Sequence, residues 1–294
     1  MIQKVKENKM AIIMDGKATS AKVRTALAEK TVQFKEKYGY APGLAVVIVG
    51  EDPASKIYVR NKKKACEEVG YNSFEYALPE ETTEEQLLEL IEKLNCDSKV
   101  HGILVQSPVP KHINEKKIQL AIRPEKDVEA FHPVNVGKIM IGDYDFVPCT
   151  PAGITELLDE YGIETCGKSC VVIGRSDIVG KPMAMLMLHK NCTVTICHSR
   201  TPDVGAVTRQ ADIVIAAVGK ADFLKADMIK EGAVVIDVGM NRNSEGKLCG
   251  DAIFDECEKK ASYITPVPGG VGPMTITMLM KNTLKSAQLF AEEK

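Results

Sequence analysis

Short apolar runs alternate along this chain with longer stretches whose apolar positions recur at helical spacing. Leu44–Val49 and Gly102–Val105 in the first half read as strands buried on both faces. Cys170–Ile173, Thr193–Cys197, Ile213–Ala216 and Val234–Val238 have the same character in the second half. Between them, Thr19–Tyr38 places Val23, Leu27, Phe34 and Tyr38 on one stripe, and Thr83–Leu94 repeats that character. Strands alternating with helices predict an α/β fold with parallel sheets.

Two punctuation points suggest how the chain is divided. Pro148-Cys149-Thr150-Pro151 reads as a linker ending in a helix start, with Thr150 as cap and Pro151 at the first helical position. This places a domain over residues 1–149 and a second, dinucleotide-binding type over 150–274, with its first strand at Cys170. The Pro- and Gly-rich segment after Tyr263 leads into a final helix from Thr275 to about Ala291. That helix, within residues 275–294, is expected to pack back and complete the first domain.

Composition narrows the class without naming a function. The 294 residues are 45% hydrophobic and 27% charged, as in soluble globular proteins. A net charge of −2 with no basic stripe gives no sign of a nucleic-acid partner. No apolar run is long enough for a membrane helix, and MIQKVKENK lacks the apolar core of a secretory signal. The nine cysteines are scattered, and the histidines are dispersed. Reduced thiols in a cytoplasmic protein are expected, and no metal site.

The richest local signal is SCVVIGRSDIVGKP at Ser169–Pro182. A buried strand feeding a helix N-terminus offers backbone N–H groups and a positive dipole end to a phosphate. Gly174, Arg175 and Ser176 open the turn, although Ser176 stands where the middle glycine of G-x-G-x-x-G belongs. An ordinary strand-to-helix turn fits the same residues. The strand at Thr193–Cys197 ends in His198-Ser199-Arg200-Thr201, with no acid for a ribose 2′-hydroxyl. Ser199 and Arg200, with Arg175, instead suit the 2′-phosphate of NADP, and a solvated strand end fits the same residues. Two later strands end in AAVG and DVGM, the second carrying Met240.

In the first half, Tyr58 and Lys62 are four residues apart on a helical segment, so ring and amine share a face. A lysine facing a cleft can act as a base, but Lys62-Lys63-Lys64 also reads as a solvated charge run. Gln106 lies at the carboxyl end of the Gly102–Val105 strand, where open α/β sheets bind ligands. Asp127 and Glu129, two apart in an extended segment, point the same way and are either bidentate acceptors or surface acids.

These pieces, taken in order, resemble a known family, the bifunctional methylenetetrahydrofolate dehydrogenase/methenyltetrahydrofolate cyclohydrolases. The resemblance rests on YVRNK at Tyr58, GILVQSPVP at Gly102, KDVEAFHPVNVGK at Lys126 and CTPAG at Cys149. It continues with VVIGRSDIVGKPMA at Val171, CHSRT at Cys197, VIDVGMNR at Val235 and TPVPGGVGPMT at Thr265. It implies a two-domain homodimer, with a folate-side α/β domain and a Rossmann-type domain that binds NADP in a cleft. It implies oxidation of 5,10-methylenetetrahydrofolate to the 5,10-methenyl form, then hydrolysis to 10-formyltetrahydrofolate, in one-carbon metabolism. Lys62 is the position of the family's proton-handling lysine, Gln106 its hydrogen-bonding partner and Tyr58 a residue that stacks on or positions the folate. Glu129 falls at the pterin-binding carboxylate, and Pro268, Gly269 and Gly270 belong to a turn closing over the substrate. Gly174, Arg175, Ser176, Ser199, Arg200 and Met240 fall at cofactor contacts.

Two segments depart from the usual pattern. KDVEAF replaces KDVDGF, so Glu129 reaches one methylene further and Ala130 stands in for glycine. QSPVP replaces QLPLP, which puts Ser107 in place of leucine. A dehydrogenase with weak or absent cyclohydrolase activity is the alternative these changes leave open.

Overall fold

Backbone pairing sorts the strands into two parallel sheets and one short antiparallel hairpin. The computed structural model describes residues 10–292. Along the chain, β1 (Ile12–Ile13) and α1 (Gly16–Tyr38) precede β2 (Gly43–Val49), α2 (Pro53–Val69) and β3 (Asn72–Leu78). Then come α3 (Glu84–Cys96), β4 (Gly102–Val105), α4 (Glu115–Ala121), α5 (Pro133–Ile141) and α6 (Cys149–Glu160). The second half runs β5 (Ser169–Ile173), α7 (Gly180–His189), β6 (Thr193–Cys197), α8 (Val204–Thr208), β7 (Ile213–Ala216) and β8 (Val234–Asp237). It closes with the hairpin β9 (Asn241–Arg242) and β10 (Leu248–Cys249), then α9 (Phe254–Cys257), β11 (Tyr263–Ile264) and α10 (Val271–Glu292).

The described chain divides into two compact units, one of residues 10–19 with 153–274 and one of 20–152 with 275–292. The second holds a three-stranded parallel sheet in the order β3-β2-β4. Every residue of β2 is buried, as a central parallel strand covered on both faces requires. Helix α3 shows how the sequence builds the cover. Thr83 and Gln86 form a capping box that satisfies the first free N–H groups. Leu87, Ile91 and Leu94 then fall on one stripe and are fully buried, each contributing about 2 kcal/mol by burial. The last turns of α10 belong to this unit. Tyr71 donates its hydroxyl to the Met280 carbonyl at 3.0 Å, and Ser286 Oγ donates to the carbonyls of His101 and Glu125.

The other unit carries the six-stranded sheet, ordered β1-β11-β8-β7-β5-β6 and parallel throughout. From β5 the chain goes to one side for β6 and to the other for β7, which makes the carboxyl end of β5 a topological switch point.

Two expectations need correction. Residues 10–19, assigned by sequence to the first-half domain, group with the six-stranded unit. The reason is a backbone pairing, Ile12 with Tyr263 and Ile13 with Ile264. An isolated pair of isoleucines carries no period from which that partner can be read. The linker at Pro148–Pro151 is also already helical: α6 starts at Cys149, so Thr150 lies in its first turn rather than capping it. Its hydroxyl shares a 3.1 Å hydrogen bond with that of Thr275.

Lys126 fixes where the segment leading to Glu129 begins. It is buried, and its ammonium donates to the Leu94 carbonyl at 3.0 Å and the Asp97 carbonyl at 2.8 Å, closing the end of α3. Burial lowers its pKa, which Asp97 opposes. Lys126→Met leaves both carbonyls without that donor and is expected to cost about 2 kcal/mol. Urea denaturation followed by circular dichroism measures it.

Candidate functional site

Helix α2 starts at Pro53 behind Asp52, whose carboxylate accepts the Ser55 N–H at 2.7 Å, and stops at Gly70 in the left-handed conformation. These limits set the register of its lysine run. Lys63 and Lys64 face outward and pair with Glu75 and Glu68. Lys62 turns inward and is only 8% exposed. The charge run is therefore a solvated face for two lysines and not for the third.

Lys62 Nζ donates to Gln106 Oε1 at 2.8 Å. Gln106 is held at the end of β4, where its N–H meets the Val47 carbonyl of β2 at 2.8 Å. Its other amide atom, Nε2, donates to the Ser107 carbonyl at 2.7 Å. Burial lowers the Lys62 pKa, and the negative charge of Glu129 opposes that shift. Tyr58, one turn earlier on α2, keeps 36% exposure.

Glu129 sits in a turn built by its neighbours. Asp127 is buried and accepts the His132 N–H at 2.7 Å and Asn135 Nδ2 at 2.9 Å. Asn282 Nδ2 reaches the Val128 carbonyl at 2.8 Å and the Val147 carbonyl at 2.9 Å. Ala130, fully buried, takes a φ of 58°, the left-handed region its glycine counterpart enters freely. The two acids are thus not an equivalent pair: Asp127 is consumed by the turn, while Glu129 remains partly accessible. Burial pushes Glu129 up to about 7, with Lys62 pulling it down and Asp127 and Glu115 adding to the rise. Around Lys62 the unit presents an amine biased toward neutrality and a carboxyl that titrates near neutral pH.

In the six-stranded unit, the carboxyl ends of four strands carry the residues singled out for a nucleotide. Gly174 follows β5 with a φ of 133°, and a Cβ there would lie 2.3 Å from the Ala217 carbonyl oxygen. A Cβ on Gly180 would lie 2.3 Å from the Gly174 oxygen. Strand, turn and α7 therefore pack backbone to backbone, leaving a cradle that fits a dinucleotide phosphate. Ser176 differs from the expectation of free N–H groups. Its hydroxyl oxygen accepts the Val179 and Gly180 N–H groups at 3.2 and 3.3 Å, so two helix-start donors are already satisfied. The Ser176 hydroxyl proton is what remains to meet a ligand. Arg175, Ser199, Arg200 and Met240 are exposed at the same strand ends.

Two residues here escaped the sequence reading. Asp251, fully buried, accepts the N–H groups of Val218, Gly219 and Lys220 at 2.6, 3.1 and 2.9 Å. Asp237 accepts those of Gly239, Asp251 and Ala252 at 2.9, 2.8 and 2.8 Å. They anchor the backbone at AAVG and DVGM, and only the glycines close by in sequence hinted at it. Pro268, Gly269 and Gly270 follow β11, where the Gly269 carbonyl accepts the Lys17 N–H at 3.1 Å. Among the described residues, no His, Cys, Asp and Glu group could hold a metal.

Family models match both halves of the chain. The catalytic domain of tetrahydrofolate dehydrogenase/cyclohydrolase covers residues 14–129, and its NAD(P)-binding domain covers 148–291. The chain belongs to this family. It is 60% identical to bifunctional protein FolD of Acetivibrio thermocellus over 284 residues, 97% of this chain and 99% of that one. The structure of bifunctional FolD from Campylobacter jejuni is similar, with 51% identity, a TM-score of 0.92 and coverage of 95% and 99%. So is the Trypanosoma brucei methylenetetrahydrofolate dehydrogenase-cyclohydrolase complexed with NADP and an inhibitor. That match has 41% identity, a TM-score of 0.91 and coverage of 96% and 98%. The two-domain α/β architecture with an NAD(P)-binding domain is therefore the family's.

The raised pKa of Glu129 has a consequence for stability. A carboxyl whose folded pKa exceeds its unfolded value binds its proton more tightly when folded, so stability falls as pH rises from about 4.5 to about 7. Glu129→Gln, which is neutral throughout, is expected to melt above the parent protein at pH 8. The gap closes as the pH drops below 7, as thermal denaturation across that range would record.

Proposed function

We propose that this chain oxidises 5,10-methylenetetrahydrofolate with NADP and hydrolyses the 5,10-methenyl product to 10-formyltetrahydrofolate. The observation that carries the reading is the buried Lys62 amine, hydrogen-bonded to Gln106 beside Glu129, in a chain of this family. A bound dinucleotide would supply the acceptor for the hydride of the substrate's one-carbon unit. Gly174 and Ser176 would hold its phosphates, Arg175, Ser199 and Arg200 would hold the 2′-phosphate, and Met240 would contribute a further cofactor contact. Oxidation needs placement more than proton transfer, because the nitrogen next to the reacting carbon already activates it.

Hydrolysis needs a base. Water adds to the amidinium carbon and forms a C–O bond while its proton passes to the neutral Lys62 amine. Lys62 then returns that proton to the departing ring nitrogen as the C–N bond breaks, and the remaining hydroxyl proton leaves to solvent as the carbonyl of the formyl group forms on the other nitrogen. Gln106 Oε1 receives the ammonium formed between these steps, so the base is stabilised in both of its forms. Glu129 anchors the pterin edge, Tyr58 positions the ring system, and the Pro268–Gly270 turn contacts the substrate. In this reading residues 20–149, completed by the end of α10, are the folate unit and residues 153–274 the cofactor unit.

The same reading includes a homodimer in the cytoplasm. All nine cysteines are free thiols, consistent with a reducing compartment. Among the described residues, no helix is long and apolar enough to cross a membrane.

Purified protein supplied with 5,10-methylenetetrahydrofolate and NADP is expected to produce NADPH with a transient methenyl absorbance. Lack of turnover with both NADP and NAD overturns the reading. Lys62→Met should abolish decay of added methenyltetrahydrofolate while leaving the circular dichroism spectrum unchanged. Arg175→Ala should raise the dissociation constant for NADP more than that for NAD, and equal losses would remove Arg175 from the 2′-phosphate contact.

A further inference from the structure

The Lys62–Gln106 hydrogen bond depends on which way one amide faces. The carbonyl and amino ends of glutamine have nearly the same shape, so a flip of Gln106 would turn a donor toward the lysine and remove its acceptor. What prevents the flip is the Ser107 carbonyl, which takes Gln106 Nε2 at 2.7 Å and leaves Oε1 for Lys62. That carbonyl lies in an exposed loop, so its own placement needs a restraint. The Ser107 hydroxyl supplies one by donating to the Glu115 carboxylate. Glu115 opens α4, and the start of α4 is itself anchored. Asn114 caps the helix by accepting the Lys117 N–H at 3.2 Å, and its own N–H donates to Glu84 of α3 at 2.8 Å.

We propose that Ser107 and Glu115 are positioning residues for the hydrolytic step, acting through the Gln106 amide to keep Oε1 on Lys62. The inference rests on the proposed function. Ser107 stands where the family pattern has leucine, which lacks the hydroxyl, so this link belongs to the chain's own sequence. A different role for Glu115 is also testable. It lines one small cavity with Asp127 and Glu129, so its charge alone could act on Glu129.

Full-length Ser107→Ala, Ser107→Thr and Glu115→Gln separate these roles, with hydrolase and dehydrogenase turnover measured across pH and thermal melts as a folding control. Ser107→Ala is expected to lower hydrolase kcat about fivefold, one hydrogen bond's worth, with the folate KM changed by less than about twofold. The pH limb governed by Lys62 should move toward acid, because losing an acceptor disfavours the ammonium. Ser107→Thr restores the hydroxyl, and Glu115→Gln keeps an acceptor oxygen, so both should stay close to the parent. Unchanged hydrolase kcat and pH limb in Ser107→Ala overturns the relay. So does a defect in Glu115→Gln without one in Ser107→Ala, which assigns Glu115 a charge effect on Glu129. Absence of hydrolysis in the unaltered chain overturns the proposed function, and this inference with it.

Discussion

A lysine amine buried against a single amide oxygen is the interaction on which the three-stranded unit turns. Taking a full charge out of water costs several kcal/mol, and one neutral acceptor does not repay it. The amine is therefore biased toward its neutral form, a bias that the Glu129 charge opposes. Such a contact survives only where its surroundings are over-determined. The limits of α2 set the direction of Lys62, the β2–β4 ladder sets Gln106, and the turn at 127–130 sets Glu129. The last of these is fastened from far along the chain by Asn282 and from beneath by Lys126. Substitutions distant from Lys62 in sequence thus bear on the groups that surround it.

The six-stranded unit solves a different problem. Loops at strand ends must expose backbone to a ligand, yet every buried N–H needs an acceptor. Asp251 and Asp237 supply it, each drawing several N–H groups from turns that have no ladder partner. Burial pushes Asp237 up to about 6 while its three donors pull the other way. Glycine makes the close approach possible: a Cβ on Gly250 would overlap the Asp237 carboxylate, and one on Gly239 would come within 2.4 Å of the Asp251 backbone. The backbone of the cradle is thus fixed from inside. Arg175, Ser199 and Met240 remain exposed.

Much of this was legible in the chain itself because it follows from local chemistry. Continuous apolar runs between turn residues located β2, β4 and β5 to β8, and helical spacing located α1 and α3. Tyr58 and Lys62 shared a helix face by spacing, and the ordered motifs pointed to a family that the comparisons bear out. What a residue's side chain does was legible only where its partner lay nearby in sequence.

The tertiary structure decided the rest, for a consistent physical reason: burial and hydrogen-bond pairing are long-range. Three adjacent lysines look alike in sequence, and packing alone separates Lys62 from Lys63 and Lys64. Asp127 and Glu129 are alike in charge and spacing, but Asn135 and the His132 N–H consume one and leave the other. Ile12 and Ile13 acquire a sheet only by meeting Tyr263 and Ile264, some 250 residues away along the chain. The sequence by itself determined the class of fold and the family, and it nominated the residues proposed for the chemistry. The fold decided which of those residues are buried, and what each one touches.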